Sequence, residues 1–287
     1  GHILGSCVST VLNSIVSWKY LGFFFNGNDA IKIFKFAVPI VPGLLLIGFW
    51  NPLSRDLVAK YFSVKTVGLL SFALRITSVL EIVNSAIRLA WNPLVFENYK
   101  NPNFNIQVQK ISNITGIVAL WATISLTLTS KEIATYIGTQ EYSESSLLIG
   151  FLAFRGSLEL LRRLRGFGPL LMNKTYILTM NEILGIFVGF ILLVLFKDSI
   201  GIIGIGIAFV VPSIVKYFFL VSYTKKQCGV NFHGRMEFIL WGVFLTSLLF
   251  SFFNISIIVR YLLLIIISSF LLKEIRTKMF SRLIREE

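Results

Sequence analysis

The chain has 287 residues, of which 55% are hydrophobic and 14% charged, with a mean hydropathy of +0.77. Its 27 Lys and Arg stand against 14 Asp and Glu, a formal charge of +13. A soluble domain carries roughly 25% charged residues, so this composition excludes an ordinary water-soluble globule, a disordered chain and a collagen-like one.

At about 20 residues per span with short connections, a chain of this length predicts an all-α, polytopic membrane bundle of about nine transmembrane helices. Residues 1–18 form the first apolar stretch. It begins Gly1-His2 with no Met and no charged segment before it, which fits a signal peptide poorly and predicts a chain cut from a longer protein. The second span is 36–54. The third, about 66–90, has to tolerate charge inside. The fourth is 111–130, the fifth about 145–163, the sixth 175–196 and the seventh 199–215. An eighth and a ninth occupy 238–272, reversing at Asn254. A single helix over 238–272 would be about 52 Å long at 1.5 Å per residue, far beyond a 30 Å hydrocarbon core.

Loop charge sets the orientation. Basic residues gather between alternate spans: Lys32 and Lys35, Lys100 and Lys110, then Arg162, Arg163, Arg165 and Lys174, then Lys225, Lys226 and Arg235. The tail adds Lys273, Arg276, Lys278, Arg282 and Arg285. The intervening loops are poorer, with Arg55, Lys60 and Lys65 the exception. Cytoplasmic loops carry the Lys/Arg excess, so the C-terminus is expected in the cytoplasm.

Charge within spans costs at least about 2.5–3.5 kcal/mol per group and asks for a partner or an aqueous cavity. Arg75, Glu81 and Arg88 lie in the third span. Glu81, Asn84, Ser85 and Arg88 share one helical face, with Arg75 about 120° from Glu81. In the fifth span Arg155 and Glu159 are spaced i, i+4, and Glu159 reaches Arg163 by the same step. Asn181 and Glu182 enter the sixth span, while Lys216 and Arg260 stand near span ends and can snorkel. Two readings are open: ion pairs that neutralise themselves inside the bundle, or a water-filled, net-cationic cavity for an anionic or sugar-bearing substrate. Guanidinium suits phosphate through its planar, permanently charged fork. A carboxylate such as Glu81 suits a coupling proton or sodium ion. The pair Gly185 and Gly189, at GxxxG spacing, predicts close helix packing.

Signs of enzymatic chemistry are weak. No nucleotide-binding motif occurs. His2 and His233 read as solvated, Cys7 as a small apolar residue, and two Cys and two His give neither a disulfide framework nor a zinc site. The one large loop expected, about 93–109, has Glu97 without an acidic partner. No catalytic residue, metal or cofactor is expected, and the basic tail suits membrane lipids better than nucleic acid.

Residues 34–80, FKFAVPIVPGLLLIGFWNPLSRDLVAKYFSVKTVGLLSFALRITSVL, resemble the polysaccharide and O-antigen flippases of the multidrug/oligosaccharidyl-lipid/polysaccharide exporter superfamily. The resemblance rests on Pro39 and Pro42 opening a span, an Arg55-Asp56 pair closing it, and Val67, Gly68, Ser71 and Ala73 followed by a basic residue, Arg75. LAWNPLVFE at 89–97 and the Gly-rich GIIGIGIAF run extend it. In this chain the acidic and basic residues of the pair are reversed, and Leu70 stands where the family often has Tyr. The resemblance implies two six-helix lobes that open alternately to each side. Residues 1–22 would be the last helix of the first lobe, 34–222 the second lobe, 236–272 an additional terminal helix pair and 273–287 a basic cytoplasmic tail. The resemblance puts Arg75, Glu81 and Arg88 in the cavity, to which the charge and polar patterning above adds Asn84, Arg155 and Glu159, with Arg55 and Asp56 at an outer gate. The implied substrate is an undecaprenyl-diphosphate-linked oligosaccharide moved across the cytoplasmic membrane, and the implied partner is the N-terminal lobe of the same protein. A drug/cation antiporter of the same superfamily and a polysaccharide polymerase or membrane glycosyltransferase are the alternatives.

Overall fold

The computed structural model describes residues 2–17, 26–197, 200–230 and 256–269, with isolated positions between 232 and 249. Two compact units divide the chain at Val38/Pro39.

The first unit contains α1 (His2–Ser17) and α2 (Gly27–Ala37). Asn26 caps α2 by accepting from the Asn28 amide, and Asp29 sits in its first turn, where the helix dipole favours an acid.

The second unit runs through α3 (Val41–Tyr61), α4 (Val64–Asn98), α5 (Phe104–Leu128), α6 (Ser130–Gly138), α7 (Ser145–Arg165), α8 (Gly168–Leu171), α9 (Tyr176–Leu195) and α10 (Ile202–Cys228). A further apolar helix, α11, covers Ile257–Ser269. Local chemistry sets several of these limits. Pro42 sits in the first turn of α3, where a missing N–H costs nothing. Ser63 caps α4 by accepting from the Thr66 amide. Gly229, at φ 65°, ends α10 in the left-handed conformation that glycine adopts freely.

Among the described residues, five helical stretches are long and apolar enough to cross a membrane: Gly27–Tyr61, Val64–Asn98, Phe104–Leu128, Tyr176–Leu195 and Ile202–Cys228. The architecture is an all-α bundle of membrane type, and the expected nine spans reduce to these five. α1 and α11 are shorter apolar helices. Half of the span expected before Asn254 falls outside the described residues, as do all of the 273–287 tail and His233. α7 fills the position of the fifth span and has 21 residues, but Arg155, Glu159, Arg162, Arg163 and Arg165 make it too polar to qualify on composition. The expected loop at 93–109 is also corrected. α4 continues through Pro93 to Asn98, and only 99–103 separate it from α5. At 35 residues α4 is about 52 Å long, so its ends overrun a 30 Å core.

The most charged long helix is also the most enclosed. α7 packs against α4, α5, α6 and α10, while α9 lies against α10 and α3. Every residue from Leu148 to Phe154 is buried. Glycines permit this closeness: a Cβ at Gly206 would collide with the Phe151 ring, and one at Gly189 would meet Trp50 at 3.0 Å and Pro212 at 3.3 Å. Two apolar clusters form the core. One lies towards the α7 C-terminus, around Phe104, Leu161, Leu164 and Tyr217. The other lies towards its N-terminus, around Val58, Leu70, Leu148 and Ile205. α11 runs antiparallel to α5, tied by Trp121 Nε1 donating to Ser268 Oγ at 2.8 Å and Arg260 Nη1 donating to the Leu128 carbonyl at 3.1 Å. Arg260 also pairs with Glu132 of α6 at 2.7 Å, largely buried, so it turns into the protein rather than snorkelling outward.

A candidate functional site between five helices

α3, α4, α7, α9 and α10 surround a cavity of about 610 Å³, within the range of small-molecule sites. It lies beside the midpoints of the helices that line it, between the two apolar clusters.

Its charged wall is built by helical periodicity. Arg155, Glu159, Arg162 and Arg163 follow one another on one face of α7, and all four line the cavity. Glu159 Oε2 accepts from Arg162 Nε at 2.9 Å and Nη2 at 2.6 Å. Its Oε1 meets Lys216 Nζ of α10 at 2.9 Å and lies 3.4 Å from the donating Ser213 hydroxyl. Glu182 of α9 closes a ring, contacting Arg162 Nη1 and Lys216 Nζ at 3.2 Å each. With its amide oriented to satisfy both neighbours, Asn181 donates to the Lys216 carbonyl and accepts from Arg162 Nη1, both at 3.0 Å. Gly185 makes room for the ring. A Cβ there would stand 2.6 Å from Lys216 Cδ, so the bare α9 backbone lets the lysine stem lie across it.

The ring is neutral, two acids against two bases. Beyond it the cavity wall carries Arg55, Arg155 and Arg163 against Glu81, which leaves the site cationic by 3 − 1 = 2 charges. Arg155 lies over the Phe209 ring at 5.7 Å and has no ion pair among the described residues. The Arg163 Nε is buried without a hydrogen-bond partner. Pro52 and Pro212 also line the wall, each inside a helix. Proline lacks the N–H that would bond to the carbonyl four residues back, so the carbonyls of Gly48 and Ala208 lose their helical partners near the cavity.

Of the residues expected at a cavity, Glu81, Arg155, Glu159 and Arg55 line this one. Arg75 and Arg88 are exposed on α4, outside it, and so is Asp56 beside Arg55 on α3. The anticipated stripe on α4 is split: Asn84 is buried and donates to the Gly156 carbonyl of α7 at 3.3 Å, while Glu81, Ser85 and Arg88 are exposed. Glu159 pairs with Arg162 and Lys216, not with Arg155 or Arg163 as the i, i+4 spacing predicts. Lys216 also departs from expectation, since it folds inward between two carboxylates. Arg162 reads as a loop residue by its place in a basic run, and Glu182 as a helix-end residue. Their convergence with Lys216 joins positions far apart in sequence, and the trace of it there is that Glu159 and Glu182 are carboxylates placed within apolar stretches. Among the described residues no group of His, Cys, Asp and Glu could hold a metal ion.

A second polar fold near the ring belongs to the framework. Arg165 is fully buried; it donates to the Tyr217 hydroxyl at 2.9 Å and to Asn113 Oδ1 at 3.1 Å, and it lies over the Phe232 ring at 5.2 Å.

Comparison with known proteins finds no matching family model, no similar curated protein and no similar solved structure.

Proposed function

We propose that this chain is the second lobe of a flippase that moves an undecaprenyl-diphosphate-linked oligosaccharide across the cytoplasmic membrane by alternating access, for surface polysaccharide or O-antigen synthesis. The observation that carries the reading is the cationic cavity at mid-helix, where Arg55, Arg155 and Arg163 outnumber Glu81 after the ring has neutralised itself. A self-neutralising ring alone would fit a purely structural role. Further guanidinium groups on the cavity wall fit a ligand that supplies negative charge, and a diphosphate offers the oxygens that guanidinium binds best.

Several features support the wider arrangement. α3, α4, α5, α7, α9 and α10 are six long helices, the number the resemblance implies for one lobe. The exposed Arg75 and Arg88 lie well inside an apolar helix, where facing lipid would be costly. Their partner in this reading is the N-terminal lobe of the same protein, closing over α3 and α4. Glu81, without an ion pair among the described residues, is the group we assign to a coupling proton or sodium ion. The remaining loop and helix-end charges, such as Lys100, Lys174, Lys225 and Lys226, support a cytoplasmic C-terminus. A drug/cation antiporter would favour a carboxylate-rich wall, and this one has more arginine than acid.

The test is transbilayer movement of fluorescent undecaprenyl-diphosphate oligosaccharide in proteoliposomes holding the full-length protein. Each charge-assisted contact contributes about 1.5–3 kcal/mol, so Arg155→Ala with Arg163→Ala should slow movement by a hundredfold or more. Unchanged movement in the double variant, or transport of lipophilic cations alone, overturns the reading.

A further inference from the structure

The ring is held unequally. Glu159 grips Arg162 through two nitrogens, one at 2.6 Å, and Lys216 at 2.9 Å. Glu182 reaches the same two cations at 3.2 Å each. Glu159 stands on α7, the helix that also supplies Arg162, so its contacts bind α7 to α10. Glu182 is the ring's one acid from α9. The charged contacts that fasten α9 to the α7–α10 pair are therefore the longer ones, and beside them the Asn181 amide of α9 adds two contacts at 3.0 Å, to the Lys216 carbonyl and from Arg162 Nη1.

At the Glu182 edge the Lys216 stem lies directly against the bare backbone of Gly185, and Pro212 interrupts the α10 hydrogen-bond ladder one turn before Lys216. Arg162 and Lys216 both face the cavity, so a ligand held there competes directly with Glu182 for them. A phosphoryl group carries more negative charge and more acceptor oxygens than one carboxylate.

From this geometry we infer that the Glu182 edge of the ring is an anion-opened latch. A diphosphate in the cavity takes Arg162 and Lys216 from Glu182 and frees α9, while Glu159 keeps α7 and α10 together. Binding energy is thereby spent on changing conformation, because the ligand contacts these cations better in the released state than in the latched one. The inference rests on the anionic-ligand reading above and adds the step by which occupancy releases a helix.

The experiment measures distances between spin labels at Met180 of α9 and Phe218 of α10, both exposed, in full-length protein in nanodiscs with Cys7 and Cys228 replaced. Undecaprenyl diphosphate is the probe, and its binding is followed separately by the fluorescence of Trp50 on the cavity wall. The expected result is a longer distance population that grows with occupancy, and the same population without ligand in Glu182→Gln. Lys216→Gln, which removes the other end of the same edge, should show it too if Glu182→Gln folds poorly. Binding without a change in distance, or folded variants with the wild-type distribution, overturns the latch. Absence of binding overturns the anionic-ligand reading instead, and the ligand-driven step with it.

Discussion

Removing the Glu159 charge is the sharpest test of how the bundle tolerates its buried ions. Glu159 lies at the crossing of α7 and α10 with its side chain only 8% exposed, and it neutralises Arg162 and Lys216 together. Glu159→Gln keeps the shape and leaves Glu182 as the one acid against two ring cations. Breaking a buried pair from one side typically costs about 3–5 kcal/mol, because the remaining charge stays desolvated and unmatched. Arg162 and Lys216 retain Glu182 at 3.2 Å, which puts the expected loss at the lower end, about 3 kcal/mol. At roughly 2–4 °C per kcal/mol for a chain of this size, the melting temperature in detergent should fall by about 6–12 °C. Pairing Glu159→Gln with Lys216→Met removes one charge of each sign. The double variant should then be more stable than the sum of the singles by about 1–3 kcal/mol. Thermal unfolding of all four proteins, followed by tryptophan fluorescence, gives the cycle. A single-variant loss under about 1 kcal/mol with strictly additive behaviour would refute the claim that the ring is buried and coupled.

Arg165→Met should lower stability by about 2–3 kcal/mol, since it removes a charged, fully buried donor to the Tyr217 hydroxyl and to Asn113 Oδ1, whereas Tyr217→Phe should cost about 1 kcal/mol; chemical denaturation distinguishes the two. Arg260→Ala should loosen α11 from α5, seen as faster proteolysis after α10 and a changed Trp121 environment, with the protein otherwise folded. Gly206→Leu should sharply reduce the yield of folded protein, because even a Cβ collides with the Phe151 ring. Arg75→Ala and Arg88→Ala, by contrast, should change stability of the isolated chain by less than about 0.5 kcal/mol, as both side chains are exposed; a larger fall in melting temperature would mean that they pack within this chain.

Much of the α3–α10 bundle is legible in the sequence. Apolar runs place α9 within a residue at each end and locate α3, α5 and α10, whose ends differ by up to 13 residues, because an apolar helix of the right length is stable in lipid whatever its neighbours. The limits of α4 were harder to read: Pro93 looks like a stop, yet the helix carries on to Asn98. α6 leaves no membrane signal in the sequence, being a nine-residue helix with Glu132 in its first turn.

The site divides along the same line. The sequence by itself determines that charge lies inside apolar segments, and along α7 its spacing sets Arg155, Glu159 and Arg163 on one face, because helical periodicity is local. Which charges meet is decided only by tertiary packing. Lys216 reads as a snorkelling residue until α9 presents Gly185 and α7 presents Glu159. An ion pair between helices depends on the rotation of each about its own axis. That rotation follows from how glycines, prolines and bulky side chains interlock, and no single helix carries that information.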